Sequence, residues 1–220
     1  MFRHRWIFVL MVFGLLLSGC AGDEPGGTLS AAPKVQSGGT LYFDDFSDDS
    51  SGWDTWSDEK SQAAYDQGGL RMRVSQANYD TWSRPGRRYG DARIAVDTNR
   101  LGGPDNNNYG ILCRYSNRSN FYALVISSDG YAGILKVKEG KYQILSGESL
   151  SYQEAVRQGG EMNVIGAECV GGRLALYANG NLLLEAQDGD FSDGEVGLIA
   201  GSFDETGVDI LFDNFYVIQP

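Results

Sequence analysis

Histidine is almost missing from this 220-residue chain, which has one, at position 4. With no imidazole in the body of the chain, Ser-His-Asp and Cys-His catalysis and histidine metal sites are excluded there. Positive charge is also scarce: 18 Lys and Arg stand against 29 Asp and Glu, a formal net charge of −11. An acidic chain is repelled by phosphate backbones, which argues against nucleic acid as a partner. Long apolar runs are missing too. The longest uncharged apolar stretch, Trp6 to Leu17, is well short of the roughly 20 residues a membrane-spanning helix needs. No amphipathic helix of real length is evident either.

That short apolar run has a specific setting. Arg3, His4 and Arg5 precede it and Leu17-Ser18-Gly19-Cys20 ends it, the layout of a secretory signal peptide. The tetrapeptide resembles the lipobox of bacterial lipoproteins. The resemblance implies that residues 1–19 are a signal peptide and that Cys20 becomes the lipidated first residue of the mature chain. Two or three acyl chains, such as palmitate, would then attach it to the membrane. Loss of Arg3 and Arg5 leaves 16 basic against 29 acidic residues, a net charge of −13, and removes His4. Residues 20–39, rich in Gly, Ala, Ser and Pro, cannot bury enough apolar surface to offset chain entropy and read as a flexible linker. Residues 40–220 are then one domain, held in the cell envelope on the outer side of the cytoplasmic membrane or in the outer membrane.

Two further cysteines, Cys113 in "YGILCRY" and Cys169 in "IGAECVGG", lie in alternating apolar runs. In an oxidising compartment a disulfide is the natural reading, with two buried thiols the alternative. The domain reads as all-β, with short aromatic and β-branched runs separated by turn signals. Asn179-Gly180 between "LALYA" and "NLLLEA" is the strongest hairpin signal, and Asp129-Gly130 is nearly as good. "SYQEAVRQ" (151–158) is expected to form about two helical turns. Many short strands over this length point to a two-sheet antiparallel β-sandwich or jelly roll.

The stretches "LYFDDFSDDSSGW", "NNYGILCRYSNRSNFYALVISSDGYAGI", "GGRLALYANGNLLLEA" and "DGEVGLIAGSFDETGVDILFDNFYV" together resemble a concanavalin A-like lectin/glucanase domain. The likeness extends to laminin-G-like and keto-disaccharide-hydrolase-like jelly rolls. It implies two stacked sheets, one of them curved, with a concave face that binds glycans in many relatives. Glycosidases of this superfamily carry Glu-x-Asp-x-x-Glu on one strand, and no such run occurs here. "EAQDGD" (185–190) and "GDFSDGE" (189–195) read as solvated turn carboxylates. The sequence therefore points away from catalysis, without excluding a glycan-active hydrolase.

Candidate ligand contacts are the aromatic and basic residues in polar settings. Tyr79, Trp82 and Arg84 lie in "NYDTWSRP", and Trp56 lies in "SGWDTWSD", where Trp53 reads as core. If Cys113 faces inward, alternation turns Arg114 outward, toward the concavity. By the same alternation Lys136 points away from Leu135 and Val137. The resemblance also implies a structural Ca²⁺ where the first and last strands meet, near Asp45 and Asp213; edge-strand carboxylates are the plainer reading. Three functions stay open: a glycan-binding or adhesion module, an envelope lipoprotein that serves a structural or protein-binding role without a small ligand, and a glycan-active enzyme.

Overall fold

The computed structural model describes residues 39–220. The expected signal peptide, Cys20 and nearly all of the expected linker lie outside the described residues. Among the described residues there are strands and no helix, arranged in two antiparallel sheets. The first sheet runs, in spatial order, β15 (Asn181–Gln187), β14 (Arg173–Ala178), β13 (Asn163–Val170), β7 (Ala92–Gly102), β17 (Val208–Ile218), β4 (Gly69–Val74), β3 (Ser61–Asp66) and β2 (Trp56–Ser57). β1 (Thr40–Asp44) also pairs with β17, so the first and last strands meet as expected. The second sheet runs β11 (Lys141–Ile144), β10 (Tyr131–Lys138), β9 (Asn120–Ile126), β8 (Asn107–Asn117), β16 (Gly194–Ser202) and β5 (Tyr79–Ser83). Short strands β12 (Ser151–Tyr152) and β6 (Arg88–Tyr89) pair with β10 and β16.

The period-2 pattern explains how the sheets stack. In β4, Leu70, Met72 and Val74 are fully buried while Arg71 and Arg73 alternate with them. β13 alternates the same way, sending Ile165, Ala167 and Cys169 inward. These residues meet Tyr109, Ile111, Cys113, Tyr122, Leu124 and Ile126 of the second sheet in one core. Cys113 and Cys169 are joined across this core, one from each sheet, with Cα atoms 6.7 Å apart, inside the range a disulfide requires. Trp53 is core, its ring edge-on to Phe215 and its Nε1 donating to Asp44. At the β14–β15 hairpin Asn179 and Gly180 both have positive φ, 52° and 82°, the type I′ geometry its Asn-Gly pair favours.

Residues 151–158 do not form the expected helical turns. Ser151 and Tyr152 pair with β10 instead, and the following turns are held by Asn163, which accepts from Arg157 N and donates to Arg157 O. A buried side-chain amide thus supplies the hydrogen bonds a helix would have made internally.

Strands β8 and β9 depart from simple alternation, being buried on both faces. Their outward residues Leu112, Tyr115, Phe121, Ala123 and Val125 join Val137 and Ile199 in a second apolar cluster on the sheet's far side. Trp82, Leu135 and Leu150 pack partly buried against it. This second floor positions the site.

Candidate functional site

Register builds the floor row by row. Trp82 stands opposite Ile199, Ile199 opposite Gly110, Gly110 opposite Val125 and Val125 opposite Gly133. Trp82 is half-buried, with its ring centroid 5.3 Å from Phe121 and 6.0 Å from Tyr115. Glycines in this floor leave room for polar side chains from β5, from Arg84 just beyond it and from β8. A Cβ on Gly197 would come within 2.7 Å of Arg84 Cγ, and one on Gly201 would overlap the Asp80 carboxylate and the Asn108 carboxamide. The neighbouring row is therefore Asp80, Gly201 and Asn108, with Asn108 Nδ2 donating to Asp80 Oδ1 at 3.0 Å.

Two contiguous lobes open over these rows. The first, about 390 Å³, lies where β5 faces β2 and β3, and Trp56, Tyr79, Trp82, Arg84, Tyr115 and Arg118 line it. Arg84 is fixed three ways: it pairs with Asp54 at 2.7 Å and Glu195 at 2.8 Å, and its guanidinium lies 4.4 Å from the Tyr115 ring centroid. The Trp56 indole donates to Ser61 Oγ, and Lys60 sits over the Tyr79 ring. The second lobe, about 430 Å³, shares Tyr79, Asp80 and Trp82 and adds Asn78, Asn108, Tyr142 and Phe203.

Electrostatics differ between the lobes. Asp54 in the first lobe has a cationic partner. Asp58 accepts from the backbone of Ser61 and Lys60, which holds its carboxyl below the usual range. Asp80 in the second has none: burial pushes its pKa up, against the opposing pull of hydrogen bonds from Asn108 and Tyr142. Tyr142 is 56 % exposed as a residue. Burial of its hydroxyl and the charge of Asp80 raise its pKa as well.

Of the residues singled out from sequence, Trp56, Tyr79, Trp82 and Arg84 converge on the first lobe. Arg114 and Lys136 do not reach the groove. Arg114 sits in a bulge of β8 with φ of 53°, so alternation fails there. It is 1 % exposed and donates to the carbonyls of Gly90, Gly171 and Phe191 while pairing with Asp91. Lys136 does point away from Leu135 and Val137, but those two face the groove cluster. Its amine therefore ends among Asp188 and Asp190 at the opposite side of the sheet. The carboxylates of "EAQDGD" are thus ion-pair partners, with Asp188 also accepting from Tyr122 Oη.

Asp45 and Asp213 do lie at the corner where β1 meets β17, Asp213 opposite Asp97. They do not fit a calcium cage, which takes six to eight oxygens. Asp45 accepts from Ser47 N and Oγ, Asp213 from Asn214 N, and no three metal-ligating side chains converge among the described residues. Burial and the neighbouring charges of Asp97 and Asp45 raise the pKa of Asp213.

Asp80, Asn108, Tyr142 and the backing pair Tyr115 and Phe121 were not singled out from sequence. A signal existed for the pair: "YGILCRY" and "NFYALVI" are apolar at both parities, the mark of strands covered on both faces.

No family model and no curated protein matches the chain. Solved structures do. The carbohydrate binding module CBM66 from Bacillus subtilis is 18 % identical with a TM-score of 0.62, over 76 % of this chain and 96 % of that one. A Bacillus subtilis protein of unknown function with a galectin-like fold is 13 % identical, TM-score 0.64, over 83 % and 97 %. A Bacillus licheniformis β-glucanase is 11 % identical, TM-score 0.59, over 84 % and 100 %. At such identities the likeness concerns the fold. Residues 39–220 have the concanavalin A-like jelly-roll fold.

Proposed function

We propose that this chain is a membrane-tethered, non-catalytic module that binds glycans in the groove beside Trp82. The observation that carries the reading is the aromatic wall itself. Trp82 is backed by Tyr115 and Phe121 and flanked by Tyr79 and Trp56, with fixed polar groups alongside. Sugars offer apolar C–H faces to flat rings and hydroxyls to polar side chains, and a concave site with few, well-placed polar groups suits them. The structural neighbours CBM66, a carbohydrate binding module, and the β-glucanase support the reading.

Binding is favoured over hydrolysis by the state of the groove's carboxylates. A paired-carboxylate mechanism needs one acid and one base or nucleophile free to act. Asp54 is engaged by Arg84 and Asp58 caps its own turn, which leaves Asp80 without a second free carboxylate to work with. The lipobox-like site supports an envelope location, with Cys20 as anchor. A glycan array probed with the purified chain tests the proposal. Wild type should bind a defined subset, and Trp82→Ala should weaken that binding by about 1–2 kcal/mol, the scale of a lost aromatic contact. Equal binding by both proteins, or none by either, contradicts it.

A further inference from the structure

The second lobe holds a polar pair that the fold leaves incomplete. Asn108 is 8 % exposed, yet its carboxamide makes one hydrogen bond, to Asp80, and its Oδ1 accepts none among the described residues. That oxygen is not sealed from solvent, and Asn108 lines the lobe. Water meets such an accessible acceptor, and a ligand hydroxyl can take its place. Beside it lies Asp80, whose carboxylate is held against Asn108 over the bare Cα of Gly201. The two groups together accept from hydroxyls and donate one remaining amide hydrogen, matching a sugar hydroxyl, which both donates and accepts.

Charge selects the kind of sugar. No lining residue of this lobe is basic, and the groups touching Asp80, the Asn108 amide and the Tyr142 phenol, are neutral. A carboxylated or sulfated ring would face an uncompensated carboxylate in a partly desolvated site. Trp82 and Tyr79 belong to both lobes, so a ring stacked there has neighbours on either side.

We infer that the lobe floored by Asp80 and Asn108 is a subsite for one uncharged sugar ring, contiguous with the Trp56 lobe, so that the groove takes a neutral glycan of at least two units. The inference rests on the glycan-binding reading above and adds the subsite, the charge class and the minimum length.

The probe is an array of defined mono-, di- and trisaccharides, half uncharged and half bearing carboxylate or sulfate, used with the detergent-solubilised full chain, Asp80→Asn and Asn108→Ala. Thermal melting of each variant checks folding, and Asp80→Asn, which is isosteric, keeps the test sound if Asn108→Ala melts early. The expected result is binding to uncharged di- or trisaccharides at least tenfold tighter than to their monosaccharides, with at least a tenfold loss in Asp80→Asn. Tight binding to uncharged glycans that both variants retain overturns the subsite while leaving glycan binding intact. Binding confined to acidic glycans overturns the charge class. No binding to any glycan overturns the parent reading as well.

Discussion

At the scale of single residues, a buried charge in this molecule either completes the fold or works against it. Arg114 serves folding: it gathers the carbonyls of Gly90, Gly171 and Phe191 at the end of the sandwich. Arg114→Met orphans them and should cost about 3 kcal/mol, read as a lower urea midpoint with unchanged m-value. Asp80 does the opposite. Burial raises its pKa above the unfolded value, so the folded chain holds this proton to higher pH than the unfolded chain. The stability linked to that proton is full below about pH 4 and is lost as pH rises through the folded value. Asp80→Asn removes the loss: at pH 7 the variant should melt higher than wild type, and the difference should shrink on acidification. A variant that melts lower at pH 7 would show that the ionised carboxylate supports the fold. The two kinds of tryptophan differ likewise. Trp53→Ala should cost about 3–5 kcal/mol as a core loss, and Trp82→Ala clearly less, since its side chain is only half-buried and lines the groove.

At the scale of elements, what could be read from sequence followed the period-2 rule and failed where that rule is broken. Asn179-Gly180 named its hairpin because only a few residues tolerate two positive φ values in succession. Cys113 and Cys169 were legible as a bridge because each sits at an inward parity of its strand. Arg114 was misplaced because the bulge between Cys113 and Asn117 resets the parity, and a bulge leaves little trace in composition. Lys136 was misjudged for another reason: its side of β10 was assigned correctly relative to Leu135, but which face is the groove depends on the second apolar cluster. Asp80 and Asn108 were missed because their meeting depends on β5 and β8 both pairing with β16, a long-range register. The bridge gives the test at this scale. It closes a loop with a sequence separation of 56, so replacing both cysteines by alanine should cost about 4 kcal/mol in the chain-entropy picture, measured by reversible denaturation without reductant. Two alkylatable thiols in the untreated protein would contradict it.

At the scale of the whole molecule, a jelly roll with a second apolar floor on the far side of one sheet is preceded in sequence by a lipobox-like tetrapeptide. The tether is tested by mass spectrometry of the mature N-terminus, which should show acylated Cys20; an unmodified cysteine or cleavage elsewhere removes the anchor from the account. The central claim is that the Trp82 groove is the ligand face, and locating a bound sugar addresses it most directly. In ¹⁵N-resolved NMR of the domain titrated with the best-bound uncharged array glycan, the indole signals of Trp56 and Trp82 and the carboxamide of Asn108 should shift together and saturate with one affinity. Shifts confined to the exposed Tyr131–Tyr152 pair, or to the first sheet where Phe43 packs at a tilt on Tyr216, with the groove signals unmoved, would contradict the account.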